Sequence, residues 1–292
     1  MRDYIEYMRK EKRKADNTLV AYERDLKAFD SFLNSRGVNG LEGCSDSDAV
    51  AYVLQLNREN KSKATINRKI SAIRSYYDYE VQRGNRSGNP FARIRGARGD
   101  KRQIDYLSVE EIEQLLELPD NSYKGVRDRA LLEFMYGTGA RVTEVVRLQF
   151  SDVNLRMSFV TLRDANDESR IVPLGKYARA ALTEYFTNAY DELKGREHRD
   201  DDFVFINLRG DVLTRQGIWK ILKDYGDEIG TGNRMTPQIL RDSFAVHILQ
   251  NGGDLKTLQE LMGFEDMSVG IAYLSVTNIH VKDVFNKTHP RA

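Results

Sequence analysis

Apolar residues recur at helical spacing over most of the chain. Leu19, Tyr22, Leu26, Phe29 and Leu33 fall on one helical face, and Gly37 follows as a stop. Ser45 reads as the cap of a second helix that carries Val50, Val53 and Leu54. A third helix is predicted from about Thr65 to Gln82, with Ile66, Ile70, Ile73 and Tyr77 on its apolar stripe. Lys63, Arg68, Lys69 and Arg74 lie off that stripe. The pattern then breaks. Between residues 84 and 104, Gly84, Gly88, Pro90, Gly96 and Gly99 are mixed with Arg86, Arg93, Arg95, Arg98, Lys101 and Arg102, which marks a basic linker.

A new unit starts near Tyr106. Ser108 and Glu111 form a capping box ahead of Ile112, Leu115 and Leu116. A helix from about Val126 to Tyr136 is stopped by Gly137-Thr138-Gly139, and a short helix with Val142, Val145 and Val146 follows Arg141. The period then changes. Phe159–Leu162 and Arg170–Leu174 read as strands on either side of a polar turn. Further helices are predicted over Tyr177–Tyr190, Thr214–Tyr225, Thr236–Gln250 and Leu255–Met262; Thr236 caps the third and Pro237 takes its first position. The expected fold is mostly α with a small antiparallel β element. A helical domain over 1–94, a basic linker over 95–105 and an α+β domain over 106–292 divide the chain.

Composition narrows the class. A chain of 292 residues fits about two domains, and 40% hydrophobic with 30% charged residues suits a globular protein. No run approaches the roughly 18 apolar residues of a membrane span. The first residues lack the apolar core of an export signal, and Cys44, the single cysteine, cannot form an intramolecular disulfide. A cytoplasmic location is expected. The net charge of +1 hides an asymmetry. Residues 1–105 carry 22 Lys+Arg against 15 Asp+Glu, and the remainder carries 23 against 29. Residues 61–102 alone hold 12 basic and 3 acidic side chains, which suggests a polyanionic partner; a solvated basic face gives the same count.

Several chemistries find no support. The chain has no phosphate loop of the G-x-x-x-x-G-K-[ST] type, and Gly137-Thr138-Gly139 lacks the third glycine of a dinucleotide fingerprint. His198, His247, His280 and His289 are not at zinc-ligand spacing. No metal, nucleotide or other cofactor is expected. Four separated segments are informative together. They are Gly137-Thr138-Gly139-Ala140-Arg141-Val142-Thr143-Glu144, Leu240-Arg241-Asp242-Ser243-Phe244-Ala245-Val246-His247, Leu258-Gln259-Glu260-Leu261-Met262-Gly263 with Ile271-Ala272-Tyr273, and the terminal Lys287-Thr288-His289-Pro290-Arg291-Ala292. In this order they resemble the motifs of the tyrosine recombinase (integrase) family, the last being similar to the tail of Xer-type members. The resemblance spans essentially the whole chain and makes residues 1–94 the core-binding domain and 106–292 the catalytic domain.

The resemblance implies that Arg141 and Arg241 stabilise charge on a scissile phosphate, for which a planar, permanently charged fork is suited. It implies that Tyr273 is the nucleophile, forming a 3′-phosphotyrosine and releasing a 5′-hydroxyl. Three positions depart from the family pattern. Gln238 stands where His precedes the second arginine by three residues, Phe264 where His or Trp follows the glycine, and Ala165 where a Lys is read as the acid for the 5′ oxygen. Duplex DNA is the implied partner. The resemblance also implies strand exchange in a homo- or hetero-tetramer of recombinase subunits, with no membrane or nucleotide partner expected. A DNA-binding protein of the same fold with weakened or partner-dependent catalysis is the second reading. Expected DNA contacts are Lys63, Arg68, Lys69 and Arg74 on the basic helix, and Thr214, Arg215 and Gln216 where a helix N-terminus favours phosphate. A surface helix and a plain capped helix are the respective alternatives. Ile279, Val281, Val284 and Phe285 make the last segment amphipathic, suited to packing on a neighbouring subunit or on its own domain.

Overall fold

The computed structural model describes residues 1–12, 14, 16–96, 104–195 and 202–276. The chain divides into two compact units, Met1–Arg102 and Gln103–Ala292. It is mostly helical, with one three-stranded antiparallel sheet among the described residues. None of the described helices is long and apolar enough to cross a membrane.

The first unit contains α1 (Arg2–Lys10), α2 (Asp16–Ser35), α3 (Asp46–Arg58) and α4 (Lys63–Gln82). The sequence pattern did not announce α1, because only Tyr4 and Met8, one turn apart, are buried on it. Tyr4 donates to Ser75 Oγ at 2.9 Å and meets the Tyr76 ring edge-on, which fastens α1 to α4. Ser45 caps α3, as the sequence indicates, and the structure adds a capping box with Asp48. Ser62 caps α4, whose stripe of Ile66, Ile70, Ile73 and Tyr77 is buried. The turn-rich stretch that begins at Gly84 is not a loose tether at its start. Phe91 is fully buried against Phe29 and Tyr77, and Arg86 donates to the carbonyls of Leu41, Glu42 and Cys44. Residues 97–103 of that stretch lie outside the described residues.

The second unit opens with α5 (Val109–Glu117), capped by the Ser108–Glu111 box, and α6 (Tyr123–Thr138). The short α7 (Val142–Arg147) leads into β1 (Val153–Asn154), β2 (Phe159–Arg163) and β3 (Ser169–Pro173). The sheet order is β1-β2-β3, with Arg163 opposite Ser169 and Val160 opposite Val172. Val160, Leu162 and Val172 face the core, as period-two alternation requires. Strand β1, two residues long, is too short for such a pattern to appear in sequence. The five residues between β2 and β3 are organised by Asp164, whose Oδ1 accepts the N–H groups of Asn166 and Glu168. Then come α8 (Lys176–Asn188), α9 (Tyr190–Lys194), α10 (Arg215–Glu228), α11 (Pro237–Gln250), α12 (Leu255–Met262) and α13 (Met267–Leu274). The Thr236 hydroxyl accepts from Ile239 N–H, and Pro237 occupies the first turn of α11. A separate apolar cluster of Phe244, Leu249, Leu258, Met262, Phe264 and Tyr273 joins α11, α12 and α13.

Candidate active site and nucleic-acid interface

Two tight turns place the site. At the end of α6, Gly139 takes φ +58°, and a Cβ there would lie 2.5 Å from the Phe244 ring. At the end of α12, Gly263 takes φ +61°, and a Cβ would lie 2.8 Å from Arg170 Cδ. Both positions demand glycine, by backbone conformation and by space. They bring the loop that carries Arg141 and the end of α12 close to α11.

Three arginines converge on the C-terminal end of α12. Arg170 Nε donates to the Leu261 carbonyl at 2.7 Å, Arg241 to the Met262 carbonyl at 2.5 Å, and Arg141 to the Gly263 carbonyl at 2.6 Å. The last carbonyls of a helix have no intrahelical partner and carry its negative dipole end, so they attract cations. Arg241 also donates to the Gly139 carbonyl. Glu144, fully buried as a side chain, links two of the three. It receives both terminal nitrogens of Arg170, at 2.6 and 2.9 Å, and one of Arg141 at 2.9 Å. Burial pushes the Glu144 carboxyl up, but the Arg170 and Arg141 guanidiniums outweigh it and hold it below the usual carboxylate range. Burial, reinforced by the charge of Arg141, lowers Arg241 to about 10. It remains a cation at neutral pH.

A groove opens on this cluster, lined by Arg141, Asp164, Glu168, Ser169, Arg170, Gly263, Phe264 and Glu265. Each guanidinium has five N–H donors. The contacts above use two on Arg141, which lines the groove, and two on Arg241, which lies buried behind it.

Tyr273, on α13, is buried in the same region. Its hydroxyl donates to Asp242 Oδ1 at 2.6 Å, and Gln238 Nε2 donates to that oxygen at 2.8 Å. Phe264 is buried in the apolar cluster and touches the Gly270 position of α13. Ala165 is exposed at the β2–β3 turn, which contributes Asp164 and Glu168 to the groove. The structure therefore brings Arg141, Arg241, Phe264, Tyr273 and Gln238 into one region. Glu144 and Asp242 complete the polar framework. Both lie inside the segments quoted above, but Arg170, which binds Glu144, and Tyr273, which binds Asp242, come from other elements and leave no spacing signal.

The basic helix has a different character. Arg68 and Lys69 both bind the buried carboxylate of Asp25, Lys69 at 3.0 Å. Arg74 donates to the carbonyls of Phe91 and Ile94. These three cations make contacts that hold their own unit together. Arg68 keeps more than a third of its side chain exposed, and Lys69 only 12%. Lys63 is exposed at the first position of α4. Thr214 caps α10 through its hydroxyl, which accepts from Gly217 N–H at 3.0 Å, and Arg215 and Gln216 stand exposed beside it. The amphipathic tail with Ile279, Val281, Val284 and Phe285 lies outside the described residues.

Residues 105–280 match the phage integrase family, and residues 1–84 match the phage integrase N-terminal SAM-like domain. The chain belongs to the phage integrase family. Within it, the chain is a Xer-like tyrosine recombinase. It is 39% identical to tyrosine recombinase XerD of Listeria innocua and 38% identical to tyrosine recombinase XerD of Oceanobacillus iheyensis, in each case over 99% of this chain and 98% of the relative. Its fold is similar to that of the Tn1549 transposon integrase solved in complex with transposon right end DNA, at a TM-score of 0.75, 18% identity and 92% coverage of both chains. The XerH recombinase bound to its palindromic difH substrate in a post-cleavage complex gives a TM-score of 0.68 at 19% identity, covering 87% of this chain and 74% of that one. The integrase fold thus accounts for the helical first unit and for the mixed second one.

Proposed function

We propose that this site-specific recombinase cuts and rejoins duplex DNA through Tyr273, with Arg141 and Arg241 binding the scissile phosphate. The observation that carries the assignment is the convergence of three guanidiniums on the end of α12, in the region that also holds the Tyr273 hydroxyl. Attack by the phenolic oxygen on phosphorus forms a 3′-phosphotyrosine and frees a 5′-hydroxyl. One phosphodiester is exchanged for another, so the bond energy is kept for rejoining. Charge grows on the non-bridging oxygens during attack, and Arg141 and Arg241 oppose it. Arg170 and Glu144 are positioning residues that hold Arg141 and the end of α12. DNA in the solved relatives named above supports duplex DNA as the partner, and strand exchange between two duplexes calls for a tetramer of recombinase subunits.

We further propose that proton delivery to the 5′ oxygen is the weak step of this enzyme. Ala165, Gln238 and Phe264 supply no titratable group, and Phe264 is part of the apolar core. The groove also presents Asp164, Glu168 and Glu265, which repel a phosphate. Nicked duplexes carrying a site selected from random sequences test both statements. A covalent adduct on a denaturing gel, lost in Tyr273→Phe, supports the nucleophile; an adduct that persists in that variant refutes it. A 5′-bridging sulfur, which leaves without an acid, is expected to speed cleavage by roughly 10²–10⁴-fold. Equal rates for sulfur and oxygen would show that another group supplies the proton.

A further inference from the structure

The phosphotyrosine reading leaves one contact unused. The Tyr273 hydroxyl is held at 2.6 Å by a carboxylate, Asp242, whose accepting oxygen is also gripped by Gln238 at 2.8 Å. Asp242 is 4% exposed and Tyr273 2%. Packing alone does not call for this arrangement. A tyrosine that only fills space is satisfied by a carbonyl or a neutral side chain, whereas a buried carboxylate carries a desolvation cost. Here that cost is offset by two donors on one oxygen.

We propose that Asp242 is the proton acceptor for Tyr273 during strand cleavage and returns the proton when the phosphotyrosine is resolved. The proposal rests on Tyr273 being the nucleophile. In cleavage, a lone pair of Oη forms the bond to phosphorus while the Oη–H bond breaks and its proton passes to Asp242 Oδ1. The bond from phosphorus to the 5′ oxygen breaks with its electron pair on that oxygen, which takes a proton from solvent water. Rejoining runs the same steps backwards. Gln238 is a positioning residue. It lies one turn before Asp242 on α11 and fixes the oxygen that faces the phenol. Among the described residues, Arg241 interacts electrostatically with Tyr273, and Arg141, Arg170 and Glu144 act on Arg241. His247, further along α11, is paired with the Tyr136 hydroxyl.

The full chain and a nicked duplex bearing its selected site provide the test. Single-turnover adduct formation is measured from pH 5 to pH 9 for the unmodified protein, Asp242→Asn and Asp242→Glu. Asn keeps the size and an accepting oxygen but is no base. Its rate at pH 7 is expected to fall by roughly 10²–10⁴-fold, and to recover about tenfold per pH unit as hydroxide replaces the carboxylate. Glu restores part of the loss. A measurement without turnover accompanies this: in tyrosine labelled with carbon-13 at Cζ, the resonance missing from Tyr273→Phe is expected to move in Asp242→Asn. An Asn variant that is as fast as the unmodified protein, faster, or equally slow at every pH overturns the proposal. So does an unmoved Cζ resonance. If the unmodified protein binds the duplex but forms no adduct, the nucleophile assignment itself fails and this proposal falls with it; an adduct whose rate ignores Asp242 refutes the proposal alone.

Discussion

Each unit of this chain contains a buried carboxylate gripped by two basic side chains. In the first, Asp25 takes Arg68 and Lys69. In the second, Glu144 takes Arg141 and Arg170. The surroundings differ. Around Asp25, Lys69 is largely buried on the carboxylate while Arg68 stays partly exposed, and Arg74 nearby on the same helix is tied to carbonyls. Around Glu144 the guanidiniums are braced by the end of α12, and Arg241 adds a third charge. Residues 106–292 carry 23 basic against 29 acidic side chains, yet three of their guanidiniums converge on one helix end. Net charge over a segment thus reports attraction for a polyanion only after internal partners are discounted.

The largest effect expected from this contrast is kinetic. Arg241→Ala should leave duplex binding within about tenfold while adduct formation falls on the order of 10²-fold or more, because the lost interaction strengthens in the transition state. Filter binding and single-turnover cleavage on the same duplex measure the two. Wholesale loss of binding by a folded variant would make Arg241 an anchor and erase the contrast.

Next in size is a stability effect in the first unit. Replacing Arg68 and Lys69 together by Ala strands the buried Asp25, at about 3–5 kcal/mol. Urea unfolding of the full chain, followed through the first unit, should show it. A variant of unchanged stability with weaker, less salt-dependent DNA binding would return both side chains to the DNA interface.

A pH experiment sharpens the role of Glu144. Its folded-state pKa is depressed, so its contribution to stability is complete above the ordinary carboxylate value and is lost as pH falls through the folded one. Glu144→Gln should therefore lower stability at pH 7 and flatten the acid limb below about pH 4.5. Parallel acid limbs in thermal melts of the two proteins would remove Glu144 from the account. The smallest expected effect lies at α10. Arg215→Ala should reduce the salt slope of DNA binding by about one unit with stability unchanged; an unaltered slope leaves Thr214, Arg215 and Gln216 as a capped helix end and nothing more.

Local signals were well represented in the sequence. The cap at Ser45, the capping box at Ser108, the N-cap at Thr236 and the alternation in β2 and β3 depend on neighbours within a few residues, and each appears where the pattern predicts. Partners across the fold were not legible. Asp25 lies 43 residues from Arg68, and nothing in the periodicity of α4 shows that its off-stripe cations turn back onto a buried acid. The separation of 31 positions between Asp242 and Tyr273 likewise conceals their contact. Helix α1 leaves no apolar signature because two buried residues on nine make no stripe.

The seating of three arginines on successive carbonyls makes the length of α12 a critical dimension. Arg141, Arg170 and Arg241 come from a loop, a strand and another helix, but all are registered against Leu261, Met262 and Gly263. One residue inserted into this eight-residue helix would turn its terminal carbonyls by about 100° and misalign every one of the three arginines at once. Changes at its exposed Lys256 or Glu260 leave that register intact. Insertions and deletions in α12 should therefore be far rarer among working descendants of this chain than substitutions on its outer face.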